Sequence, residues 1–166
     1  MFKKIKINNY FTIVLTLLLL ASCDANRIFD EYFSLKSGSW NKETPVNFSF
    51  EIQDTIHRNN LFINLRNNNN YEFSNLFLIT QLNFPDGQRI IDTLEYDMAD
   101  KSGKFLGTGF SEIKENKLFY KENITFPISG NYSISIAQAM RKSNEIDGII
   151  DLKGITDVGF RIEKIE

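Results

Sequence analysis

From Val46 onward, the apolar residues of this chain fall on every second position. In VNFSFEIQ, Val46, Phe48, Phe50 and Ile52 alternate with polar partners, and LFINLR repeats the pattern with Leu61, Ile63 and Leu65. A period of two sends successive side chains to opposite faces of an extended chain, so these segments are half-buried strands. SNLFLITQLNF places Leu76, Leu78, Leu82 and Phe84 on one face and Phe77 and Ile79 on the other, which predicts a central strand. Turn chemistry separates the strands. Asparagine tolerates left-handed backbone and bonds its own main chain, so Asn67–Asn70 is a turn. Pro85-Asp86-Gly87-Gln88 is a hairpin turn, after which RIIDTLEY returns.

The remaining strands read the same way. DMADKSGKFLGTGF is a loop with three glycines, KLFYKENITF is a strand, and Ser129-Gly130-Asn131 is a turn. YSISIAQAMR carries Tyr132, Ile134 and Ile136 on one side, SNEIDGIIDLKG is a polar crossing, and TDVGFRIEK alternates Val158, Phe160 and Ile162. The 15 Phe and 6 Tyr suit a pleated, half-buried surface. No segment supports an amphipathic helix of more than two or three turns. The pattern predicts an all-β chain, a β-sandwich of immunoglobulin-like or jelly-roll type, because periodicity names faces but not strand order.

The first 22 residues follow another logic. MFKKIKINNYFTIVLTLLLLAS has a basic start, an apolar stretch from Tyr10 to Leu20 and small residues at its end, the layout of a secretory signal. That stretch is too short to span a bilayer, which takes about 20 apolar residues. The expected organisation is a cleaved helical signal peptide over 1–22, a tether and edge segment over 23–45, and one sandwich over 46–166. Phe29, Tyr32 and Trp40 are candidates to pack onto that sandwich. Residues 23–166 carry 16 basic and 21 acidic side chains. An acidic domain does not suit nucleic acid, whose partners concentrate Lys and Arg.

Cys23 is the single cysteine and His57 the single histidine. A disulfide lacks its second thiol and a metal site lacks nearby His or Cys ligands. Leu20-Ala21-Ser22-Cys23 resembles the bacterial lipobox, in which the thiol and then the new amino terminus are acylated. Two or more acyl chains give stable anchoring where one gives marginal binding. Cys23 is therefore the expected lipidation site and first mature residue, which makes the membrane a partner.

Other chemistry is sparse. His57 lies in a polar stretch between strands and reads as an exposed loop residue, and no serine occupies a G-x-S-x-G elbow. GKFLGTGF breaks the spacing of both phosphate-binding glycine motifs, so its glycines read as a bulge or tight corner. Acids cluster at Asp92, Glu95, Asp97 and Asp100 and at Glu145, Asp147 and Asp151; such oxygens suit Ca²⁺, but the spacing fits no EF-hand loop. Asp54-Thr55-Ile56 and Asp92-Thr93-Leu94 resemble the short sites that are O-glycosylated in exported proteins of the Bacteroidota. A carbohydrate-binding jelly roll is the alternative functional class, with Trp40, Tyr71 or Tyr96 as aromatic platform.

The longer blocks carry a more specific likeness. CDANRIFDEY, LFINLRNNNNYEFSNLFLI, DTLEYDMADKSGKFLGTGFSEIKENKLFYKENITFPISGNY, AQAMR and GITDVGFRIEK are similar to the GldH family of gliding motility lipoproteins. The resemblance implies a non-enzymatic envelope lipoprotein of the gliding and type IX secretion machinery. It further implies an outer-membrane location, a palmitate-like lipid on Cys23, and other gliding lipoproteins and secretion proteins as partners. Catalytic, cofactor and metal residues are expected to be none. A Cys23→Ala chain should lose its acyl label and leave the membrane fraction; a variant still acylated would contradict the assignment.

Overall fold

Alternation becomes pairing in the computed structural model, which describes residues 26–109, 112–142 and 145–165. Ten strands follow in order: β1 (Arg27–Ser34), β2 (Ser39–Asn41), β3 (Val46–Ile52), β4 (Asn59–Asn67), β5 (Asn75–Asn83), β6 (Arg89–Asp97), β7 (Lys114–Ile124), β8 (Gly130–Gln138), β9 (Asp151–Lys153) and β10 (Ile155–Lys164). No α-helix occurs among the described residues. The first sheet has the order β1-β10-β4-β7, the second β3-β8-β5-β6, and β2 pairs with β9 as a small third sheet. The signal segment, Cys23 and Asp24 lie outside the described residues.

Strand order settles the alternative that the periodicity left open. Without the short β2 and β9, the eight long strands nest as a hairpin of hairpins. First lies beside last (β1, β10), third beside sixth (β4, β7), second beside seventh (β3, β8) and fourth beside fifth (β5, β6). These pairs alternate between the two sheets, which is the jelly roll; an immunoglobulin sandwich distributes its seven core strands differently.

The alternating residues meet between the sheets. Val46, Phe48, Phe50 and Ile52 of β3 and Leu61, Ile63 and Leu65 of β4 are buried, as are Val158, Phe160 and Ile162 of β10. Phe160 is the centre of the contact: its ring lies 5.4 Å from Phe50, 6.2 Å from Phe29 and 6.4 Å from both Phe48 and Tyr120. Aromatic rings favour such tilted and edge contacts through their quadrupoles. Phe29 belongs to β1, and Trp40 on β2 is fully buried, so the packed unit takes in residues from Arg27 onward. On the opposite flank the Tyr96 hydroxyl donates to the Phe119 carbonyl at 2.7 Å, joining edge strand β6 to edge strand β7. Strand β5 is interior to its sheet, as its pattern predicts, although Ile79 is 44% exposed on the face turned away from the first sheet.

The two ends of the sandwich differ. At one end the connections are short: 53–58, 84–88 and 125–129. The other end holds 35–45, 68–74, 98–113 and 139–154, which include β2 and β9. This far end is stitched by main-chain bonds from Asn68 N–H to the Gly154 carbonyl and from Gly154 N–H to the Gly38 carbonyl. Gly154 has φ +88°, and a Cβ there would meet the Tyr71 nitrogen at 2.1 Å, so only glycine fits. Phe160→Ala should cost about 3–5 kcal/mol in urea unfolding, the range for truncating a buried aromatic ring; a cost below about 1 kcal/mol would contradict its central place.

Candidate interaction surfaces

The expected site residue, Cys23, precedes Asn26 by three positions, and Asn26 already belongs to the fold: its carbonyl accepts the Lys164 N–H at 2.8 Å. Beside it, the Arg58 carbonyl accepts the Ile165 N–H at 2.8 Å. The chain therefore enters at the short-loop end, next to the 53–58 connection. Asp54 organises that loop. Its Oδ1 accepts the backbone N–H of Ile56 (2.9 Å) and of His57 (3.1 Å), and its Oδ2 pairs with His57 Nδ1 at 2.5 Å. Those two backbone bonds, His57 N–H first, hold the Asp54 carboxyl down at about 2. His57 is exposed here, as its polar surroundings predict. The turn leaves Ile56 82% exposed.

The outer face of the first sheet is a ladder of ion pairs. Arg161 donates to Asp30 (2.6 Å) and Glu163 (2.5 Å), and Lys117 donates to both Glu163 oxygens at 2.8 Å. Burial alone would raise the Glu163 carboxyl, but the bonds from Lys117 and Arg161 outweigh it and hold the group below its ordinary value. Tyr32 spans the sheet. Its ring lies against Gly159, where a Cβ would approach it to 2.9 Å, and beneath the Arg66 guanidinium at 4.4 Å. Its hydroxyl donates to Glu115 Oε1 at 2.8 Å. Burial, then this bond to a carboxylate, pushes the phenol up.

The outer face of the second sheet mixes uncharged polar residues with Glu51 on β3 and Arg89, Glu95 and Asp97 on edge strand β6. The pairing aligns Asn47 with Ser135, Ser49 with Ser133, and Gln81 with Ile91. Asn83 donates to Ser133 Oγ (3.1 Å) and Gln81 to Asn83 Oδ1 (2.8 Å). Ile79 and Ile91 stand exposed on this side.

The first acidic group runs along β6 and into the loop that follows it. Asp92 accepts from the Tyr120 hydroxyl (2.9 Å) and pairs with Lys121 (2.9 Å), while Glu95 accepts from Asn75 (2.8 Å). Asp100 Oδ1 closes its own turn with bonds from Ser102 Oγ, Lys104 N–H and Ser102 N–H, which lower the Asp100 carboxyl. No group of three or more His, Cys, Asp and Glu side chains gathers to hold a metal among the described residues. The glycine loop is a tight corner: Gly103 closes a turn onto Asp100, and a Cβ on Gly107 would meet Asn116 Oδ1 at 2.7 Å.

The three aromatics considered as a sugar platform are committed to packing, which corrects that expectation. Trp40 is fully buried with Nε1 on the Thr44 carbonyl, and Tyr71 is buried with its hydroxyl on the Asn75 carbonyl at 2.6 Å. Tyr96 holds the Phe119 carbonyl, and burial with the nearby Asp92 pushes its phenol up to about 12. What the far end does present is a groove of about 620 Å³ lined by Phe73, Phe77, Met140, Arg141, Lys142 and Ile146. Ile146 is 97% exposed. Sequence reasoning passed over Ile56 and Ile146 because a single apolar residue in a polar stretch carries no period.

The chain matches the family model described as GldH lipoprotein over residues 27–162. It is 54% identical over 154 residues to a gliding motility lipoprotein GldH homolog of Christiangramia forsetii, covering 93% of this chain and 94% of the relative. It is 49% identical over 159 residues to the gliding motility lipoprotein GldH of Flavobacterium johnsoniae, covering 96% and 98%. Among solved structures, the VP2 subviral particle of infectious bursal disease virus aligns at TM-score 0.40 and 17% identity, over 86% of this chain and 33% of that one.

The Asp54 carboxyl, held at about 2 against an ordinary 3.8, stabilises the folded loop fully above 3.8 and loses that contribution as pH falls through 2. Its carboxyl carbon resonance should therefore remain that of an ionised group at about pH 3, where an ordinary aspartate is mostly protonated. A midpoint near the ordinary value would contradict the turn geometry.

Proposed function

The chain belongs to the GldH lipoprotein family, and from that premise we propose that it is a non-enzymatic, lipid-anchored component of the gliding motility machinery and its associated type IX secretion apparatus. In this reading the acyl chains on Cys23 hold it in the cell envelope, at the outer membrane, and it stabilises a complex of other gliding lipoproteins and secretion proteins. The observation that carries the reading is the polarity of the fold. The short-loop end lies within three residues of Cys23, and every long connection lies at the other end.

A nine-residue strand at about 3.3 Å per residue places that far end about 30 Å from the point of attachment. There the 139–154 connection presents the exposed Ile146 beside the Phe73–Phe77–Met140 groove, flanked by Arg141 and Lys142. An apolar anchor next to a groove with a charged rim suits protein docking. The assignment of no catalysis is supported by the engagement of Asp54, Asp92, Glu95, Asp100, Glu115 and Glu163 in structural bonds.

Mild cross-linking and purification of the native lipoprotein from membranes should recover gliding or secretion components. An Ile146→Asp chain should stay anchored and folded but recover severalfold less of them. Recovery of no envelope partner by the unaltered chain would overturn the proposal.

A further inference from the structure

We infer that the short-loop end of the sandwich stands directly on the lipid surface, with Ile56 seated in the headgroup region. The inference rests on Cys23 carrying the lipid. Three residue steps separate Cys23 from Asn26, and an extended chain covers at most about 3.6 Å per residue, so the anchor lies within about 11 Å of the fold. Asn26 itself is fixed to Lys164 by a main-chain hydrogen bond. With so little slack, the surface nearest Asn26 is the one the bilayer meets.

That surface is shaped for such contact. Ile56 projects from the 53–58 turn at 82% exposure, and the Asp54 carboxylate holds the two following main-chain N–H groups so that the turn is already formed. An isoleucine held outward on a rigid turn contributes nothing to the core. Ile28, at the bulge where β1 shifts register against β10, adds a second apolar side chain at 42% exposure. Three cations lie at this end: Arg27 opposite Glu163, Arg58 donating to Asn123 Oδ1 at 3.2 Å, and Lys164 paired with Asp54 at 3.8 Å. Lys and Arg keep their stems on apolar surface while their heads reach polar groups, which suits the phosphate layer. Apolar side chains of interfacial segments sit about 5–10 Å into the headgroup and acyl boundary.

The test uses the acylated full chain. Cys23, once acylated, has no free thiol, so Ile56→Cys and, separately, Ser102→Cys each accept one environment-sensitive fluorophore. Each chain is reconstituted into phosphatidylethanolamine–phosphatidylglycerol vesicles containing lipids with a quencher on the acyl chain. Intact mass and flotation report the anchor independently of the probe. The expected result is an anchored chain whose probe at 56 is quenched severalfold more than the probe at 102 and shifts to shorter wavelength. Anchored chains with both probes quenched alike would show a sandwich lying on its side. Anchored chains with neither quenched would show an end lifted off the surface, and a hexose mass on Thr55 would put a hydrated sugar where lipid is required. Each of these overturns the inference while leaving the lipidation of Cys23 intact. A chain with no acyl mass on Cys23 removes the premise and overturns both.

Discussion

Everything in this fold depends on the aromatic contact that closes one sheet over the other around Phe160. That ring touches Phe29 on β1, Phe48 and Phe50 on β3, and Tyr120 on β7, so one side chain of β10 joins three other strands across the interior. Because β1 reaches the cluster through Phe29, residues Arg27–Ser34 are pinned to a sheet edge. Pinning β1 fixes where Asn26 lies and which loops lie beside it. The polarity of the molecule, short loops near Asn26 and long ones away from it, is thus a consequence of core packing.

The outer faces have been left to different chemistry. Ion pairs lie across the first sheet, where Arg161 bridges Asp30 and Glu163 and Lys117 joins Glu163. The second sheet carries serine, asparagine and glutamine over its centre and charge along edge strand β6, with Ile79 and Ile91 exposed among them. Neither face gathers the convergent reactive groups that an active site needs. The chain's membership of the GldH lipoprotein family rests on likeness along the sequence rather than on any one constellation of side chains.

Much of this was legible in the residues, and the exceptions have physical causes. Strands β3, β4, β5, β8 and β10 announce themselves because each has one buried face and an exposed or polar partner face. Strand β1 does not, because Ile28 sits in a bulge that breaks the period and Tyr32 lies flat across Gly159 on the outer face. The crossing at 143–154 reads as polar, yet its three residues Asp151–Lys153 pair with β2 and bury Leu152, too short a run for any pattern. Strand order was invisible because alternation encodes a face, never a neighbour. The expectation for Cys23 rests on its local chemical context alone, whereas Ile56 and Ile146 became visible only when the fold showed which end each occupies.

The most direct measurement is a proton NOE map of the chain in detergent micelles. It should link β1 to β10, β10 to β4 and β4 to β7 through main-chain contacts, and connect the Phe160 ring to Phe29, Phe48 and Phe50. Main-chain contacts pairing β1 with β3, or a Phe160 ring with no contact to the second sheet, would contradict the jelly roll and the polarity that follows from it.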